Sequence, residues 1–235
     1  VLYSVGLQRL DQERYPEAIQ FFQEVERQHP YSAWSRRAIL MQVYAYYQRQ
    51  NYEDAIAAAD RYIDLYPGSP QVSYAFYMKA ICFFEQIVDV GRDQASAGHA
   101  LNALTEVVQR FPGTSYATDA RVKIDMVNDQ LAGKEMEIGR WYLRRNQPLA
   151  AAGRFRRVVD QYQTTSHTPE ALYRLVETYL TLGLTEEAER NAAVLGYNFP
   201  GSRWYTDAYR LVTNQGGQLE QEPQEEGWLQ RLIPG

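Results

Sequence analysis

The chain carries one cysteine, Cys82, which excludes an intrachain disulfide and any metal cluster built on several thiolates. In the apolar run Ile81-Cys82-Phe83-Phe84 it reads as a small buried hydrophobe. Long hydrophobic runs are missing too: none approaches the roughly 18 residues that a bilayer-spanning helix requires. Basic charge is in deficit, with 24 Lys and Arg against 29 Asp and Glu and a net charge of −5. Nucleic acid is therefore not expected as a partner, because its binding needs a basic face to displace counterions. Histidine is scarce. His29, His99 and His167 are scattered, with no H-E-x-x-H motif or i, i+4 pair to hold zinc. A glycine-rich phosphate loop and a G-x-S-x-G elbow are absent as well. The expectation is a non-enzymatic protein with no catalytic residue, cofactor or metal.

What the chain does have is a repeated interval. Ala18, Phe22, Val25 and Pro30 are spaced like Ala55, Ala59, Tyr62 and Pro67, like Ala100, Leu104, Val107 and Pro112, and like Ala188, Ala192, Leu195 and Pro200. A further copy, Ala151, Phe155 and Val158, ends on Gln163 instead of proline. Positions 0, +4 and +7 share one helical face, and a small residue at 0 lets a partner helix approach closely. The proline marks where the helix must stop. This is the pattern of the second helix in a tetratricopeptide repeat. The fold class expected is all-α, a right-handed solenoid of about five such helix pairs, which presents grooves rather than a catalytic constellation.

The repeats are not evenly spaced. Ala18 to Ala55 and Ala151 to Ala188 are each 37 residues, whereas Ala55 to Ala100 is 45 and Ala100 to Ala151 is 51. The first excess predicts a connection around Val88–Ala97 that holds Asp89, Arg92 and Asp93. The second predicts one long helix over 115–145, bent near Gly133. Three regions follow: a three-repeat block over 1–114, the long helix with a two-repeat block over 115–214, and a tail over 215–235. The tail is a Gln- and Glu-rich linker ending in Trp228, Leu229, Leu232 and Ile233, which would share one face of a short docking helix; an unstructured end is the alternative. Ser32, Ser69, Ser115, Thr185 and Ser202 are the expected helix N-caps.

Tyrosine supplies the candidate binding residues, 19 of them in this chain. If Val43 fills the small-residue slot of the second repeat, Leu40, Tyr44 and Tyr47 line the groove, as do Tyr3 and Leu7 in the first repeat and Tyr74 and Tyr77 in the third. Tyrosine offers apolar area and a hydroxyl at little entropic cost, which suits gripping an extended peptide. Packing between helices is the competing role. The Lys and Asn of a carboxylate clamp are missing from Tyr3, Leu7 and Leu40. A basic cluster, Arg140, Arg144 and Arg145 with Arg154, Arg156 and Arg157, stands out on an acidic chain. Arg154 falls about 60° from the Ala151/Phe155/Val158 stripe and Arg156 points away from it. A guanidinium on such a flank can grip a carboxylate of a docked protein in bidentate fashion. A solvated basic face paired with nearby Glu and Asp is the alternative.

Several segments resemble one family in order and spacing. They are Arg27-Gln28-His29-Pro30-Tyr31-Ser32, Tyr44-Ala45-Tyr46-Tyr47, Tyr74-Ala75-Phe76-Tyr77, Arg110-Phe111-Pro112, Ser115-Tyr116-Ala117-Thr118-Asp119-Ala120 and Ala132-Gly133-Lys134-Glu135. They are similar to the BamD (ComL-like) lipoproteins of the outer-membrane β-barrel assembly machine, from about residue 2 to about residue 212. The resemblance implies a five-repeat adaptor on the periplasmic face of the outer membrane, anchored by lipid on an N-terminal cysteine that is not in this chain. It implies that the N-terminal repeats receive unfolded barrel proteins, with the turn His29, Pro30, Tyr31 and Ser32 in substrate contact. It further implies that the C-terminal repeats dock the periplasmic domain of the barrel-forming subunit, with Arg154 reaching it, and accessory lipoproteins. The substrate-facing expectation is thus His29, Tyr31, Tyr44, Tyr47, Tyr74 and Tyr77, and the docking expectation Arg140, Arg144, Arg154 and Trp228. Another periplasmic repeat scaffold, for example one coordinating envelope constriction or cell division, is the alternative.

Overall fold

The computed structural model describes residues 1–87 and 94–214. Among them are eleven α-helices and no strand: α1 (Leu2–Asp11), α2 (Tyr15–Gln28), α3 (Ala33–Gln48), α4 (Tyr52–Leu65), α5 (Val72–Glu85), α6 (Gln94–Arg110), α7 (Ser115–Arg144), α8 (Pro148–Gln161), α9 (Thr168–Thr181), α10 (Thr185–Asn198) and α11 (Arg203–Asn214). They form tetratricopeptide-like hairpins in two compact units, Val1–Val127 and Asn128–Gly235, whose boundary falls within α7. The long helix is present, unbroken through Gly133. The expected connection with Asp89, Arg92 and Asp93 and the tail with Trp228 lie outside the described residues.

The repeated interval is the buried seam of each hairpin. Ala18, Phe22, Ala55, Ala59, Ala100, Leu104, Val107, Ala151, Phe155, Val158, Ala188, Ala192 and Leu195 are fully buried. Where the +4 residue is phenylalanine, the facing helix carries glycine. A Cβ on Gly6 would lie 2.7 Å from the Phe22 ring, and one on Gly139 would collide with the Phe155 ring. Where the +4 residue is alanine, valine stands at the matching position: Val43 shares a buried cluster with Ala59, and Val176 shares one with Ala192. Each of these four helix pairs is thus filled by a large and a small residue, traded between partners to keep interior packing density.

Helix ends also repeat. His29, Tyr66, Tyr162 and Phe199 follow α2, α4, α8 and α10 with φ between −129° and −136°. Each donates its backbone N–H to the carbonyl four residues earlier, in Val25, Tyr62, Val158 and Leu195. A residue before proline is pushed out of the α region. Tyr162 adopts the same turn although Gln163 follows it, so the geometry survives without proline. Of the expected caps, Ser32 receives the N–H of Ser35 at 3.0 Å and Ser202 that of Trp204 at 3.2 Å. The other three are corrected. Thr114, one residue before Ser115, accepts from Ala117. Thr185 is the first residue of α10 after Leu184, which has no capping side chain. Ser69 precedes the N-cap Gln71 of α5 and bonds the Tyr62 hydroxyl at 2.7 Å.

Cys82 is fully buried, and burial pushes its thiol up to about 12. Leu40, expected in the groove, is a core residue at 7% exposure. It joins Ile39, Tyr62 and Phe76 because its side chain projects between α3 and its neighbours.

Candidate functional site

In the first unit, α3, α5 and α7 bring tyrosines together. Tyr77 stacks on Tyr116 at 4.9 Å between ring centroids, and Tyr74 meets the same ring at 6.0 Å. Tyr47 lies 6.0 Å from Tyr52, and its hydroxyl reaches Glu85 Oε1 at 3.4 Å. Tyr44, on α3 with Tyr47, is half-buried. The Tyr77 hydroxyl donates to Asp119 Oδ2 at 2.7 Å, and Lys123 pairs with the same carboxylate at 3.0 Å. Burial raises the phenols: Tyr74 is pushed up to about 12, and Tyr77 is raised further by burial and its bond to Asp119. Asp119 sits below its ordinary value; burial acts to raise it, but the Tyr77 hydroxyl and the Lys123 ammonium outweigh that. The face offers neutral hydroxyls and broad ring area, which is the equipment of a surface that grips rather than reacts.

His29 and Tyr31 do not join that face. His29 lines a cleft of about 500 Å³ with Leu2, Tyr3, Val25 and Trp34. Trp34 is 53% exposed and packs on Tyr3 at 5.3 Å, while Tyr3 also contacts Phe22. Tyr31 turns the other way, with φ +64° and 77% exposure, into a cleft of about 400 Å³ with Glu26, Ser35, Leu65 and Tyr66. One turn therefore serves two clefts.

In the second unit most of the basic cluster is already paired. Arg154 Nη1 lies 3.1 Å from Glu135 Oε2, and Arg157 Nη1 lies 2.8 Å from Glu135 Oε1, with the glutamate 5% exposed. Arg140 donates to both oxygens of Glu170 at 3.0 and 3.1 Å. Glu170 also meets Arg174, which pairs with Glu177 at 2.8 Å. Arg156 is exposed, hydrogen-bonds the Tyr179 hydroxyl and lies over that ring. Arg145 covers Trp141 at 4.2 Å, and Arg144 is exposed. Trp228 lies outside the described residues.

Sequence reasoning passed over Tyr116, Asp119, Glu85, Trp34 and Glu135. Tyr116 and Asp119 stood in a quoted segment, and their i, i+3 spacing on a helix facing Tyr77 was the available signal. Glu135 gave none, since a glutamate in a charged stretch looks solvated until the neighbouring helix is known. Among the described residues no group of three or more His, Cys, Asp or Glu could hold a metal, and no helix is long and apolar enough to cross a membrane.

Helical hairpins that repeat one packing seam, with an aromatic face on one unit and an arginine-rich face on the other, define a tetratricopeptide-type repeat protein. The family described as "YfiO: Outer membrane lipoprotein" matches residues 1–195. An outer membrane protein assembly factor BamD from Caulobacter vibrioides is 66% identical over 227 residues, covering 97% of this chain and 74% of that protein. The BamD of Rickettsia prowazekii is 46% identical, covering 91% of this chain and 85% of its own length. That of Neisseria meningitidis serogroup A is 32% identical, covering 89% and 82%. The chain belongs to the BamD (YfiO) family of outer-membrane lipoproteins.

Proposed function

We propose that this chain is a non-enzymatic adaptor subunit of the outer-membrane β-barrel assembly machine. It works at the periplasmic face of the outer membrane, held there by a lipid anchor. The tyrosine face of the first unit receives unfolded barrel proteins, and the second unit docks the periplasmic domain of the barrel-forming subunit through Arg154, with accessory lipoproteins beside it. Family membership supports the general role, since the relatives are named outer membrane protein assembly factors. The observation that carries the finer reading is the cluster of half-buried tyrosines Tyr47, Tyr74, Tyr77 and Tyr116, with the half-buried Tyr44 on the same helix as Tyr47. An extended peptide with a terminal aromatic residue fits such a surface. The test is fluorescence anisotropy with labelled peptides. A peptide ending in phenylalanine should bind, and a scrambled one lacking the terminal aromatic should not. Equal affinity for the two would refute the reading.

A further inference from the structure

Glu135, Arg154 and Arg157 form a trio whose charges do not cancel. One nearly buried carboxylate, with its side chain 6% exposed, faces two guanidinium groups whose side chains are 32% and 44% exposed. The arginines are three residues apart on α8 and therefore lie on the same side of it. Both reach Glu135 through Nη1 alone. Among the described residues, no hydrogen bond engages Nε or Nη2 of either arginine. That leaves two side-on edges, each the fork that takes a carboxylate in bidentate geometry. The trio keeps one positive charge in surplus, held in place by a rigid anion instead of by flexible stems.

The hairpin does not need this trio to fold. Counted from the shared seam, the matching positions in the first unit are Leu2, Phe21 and Glu24, 133 residues earlier in each case. That hairpin builds the same Ala18/Phe22/Val25 core with no such arrangement. The charge is thus an addition to the fold, placed where the surface is open.

We propose that Arg154 and Arg157 together form one paired receptor for a carboxylate on the docked protein, and that Glu135 is the positioning residue that aims both. This rests on the reading above that Arg154 faces the barrel-forming subunit, and it adds Arg157 and Glu135 to that contact. Fixing two guanidinium groups before docking removes the rotamer entropy that free arginines would lose on binding.

The experiment measures binding of the purified periplasmic domain of the barrel-forming subunit to the full chain by calorimetry, with far-UV circular dichroism to confirm folding. Arg157→Ala should weaken binding at least about tenfold, comparably to Arg154→Ala. Arg157→Lys should recover only part, because lysine lacks the planar fork. Glu135→Gln should weaken docking even though it raises the local positive charge. Should that variant fail to fold, Glu135→Asp keeps the charge, shortens the reach and should still weaken docking several-fold. Loss with Arg154→Ala but none with Arg157→Ala overturns the paired receptor and leaves the docking reading standing. No loss with either arginine refutes the docking reading itself. Tighter binding by Glu135→Gln, or unchanged binding by Glu135→Asp, overturns the positioning role.

Discussion

Leu2, Tyr3, Val25, His29 and Trp34 of the first unit stand at the same repeat positions as Glu135, Met136, Val158, Tyr162 and His167 of the second. In the first unit they surround an apolar cleft. In the second the same place holds a buried glutamate gripped by two arginines. The inward positions diverge in the same sense. Leu7, Arg37, Met41 and Tyr44 correspond to Arg140, Glu170, Arg174 and Glu177, the last four of which form a continuous chain of ion pairs. The seam beneath is common to both: Gly6 and Phe22 match Gly139 and Phe155, and the left-handed turn residues Glu13 and Gln50 match Asn146 and Gly183. Positions that must exclude water keep their size relations, while positions at the rim are free to change chemistry. One scaffold thereby carries an aromatic face and a charged one.

The largest effects should come from breaking what the two units share. Phe22→Ala and Phe155→Ala should each cost about 3–5 kcal/mol in chemical denaturation, because both rings are fully buried. Gly139→Val should also destabilise by overpacking against Phe155, by about 1–3 kcal/mol or more. Combined with Phe155→Ala it recreates the Val43/Ala59 arrangement, so the double variant should be more stable than the sum of the single losses predicts. Simple additivity would show that the glycine and the phenylalanine are not a complementary pair.

Next come changes confined to one rim. Tyr44→Ala and Tyr47→Ala should each weaken the aromatic-ended peptide by about 1–2 kcal/mol. Glu177→Ala and Leu180→Ala, at the matching positions of the second unit, should leave that affinity unchanged. If all four behave alike, the division of labour between the units is wrong.

A smaller effect separates the two faces by pH. The folded value of Asp119 is depressed, so its contribution is present above the ordinary carboxylate value of about 4 and is lost as pH falls through the folded one. Asp119→Asn should therefore flatten the acid limb of the stability curve slightly and lower stability at neutral pH. A wild-type acid limb in that variant would remove Asp119 from the account. The smallest effect concerns Cys82. With its thiol pushed up to about 12 by burial, alkylation at pH 8 should be negligible in the native protein and complete after unfolding. Rapid native labelling would mean that the α5 core opens.

The hairpins were legible because close packing of helices imposes a period, and a period is a one-dimensional signal. Small residues at 0, apolar ones at +4 and +7 and a proline at the end identify α2, α4, α6 and α10 without coordinates. Even Ala151, Phe155 and Val158 identify α8, although its proline is missing. The aromatic character of Tyr44, Tyr47, Tyr74 and Tyr77 was legible for the same reason, since a helix assigns each residue a face.

Partnership across helices was not. Glu135 and Arg157 lie 22 residues apart, and nothing in their separate surroundings pairs them. Tyr77 and Asp119 lie 42 apart. The turn at His29 and Tyr31 looked like one site, yet a positive φ at Tyr31 sends its ring into a different cleft. Local spacing determines which side of a helix a residue occupies. Which charge meets which, and which guanidinium edge stays open, depends on how neighbouring helices pack, and only the tertiary structure decided that.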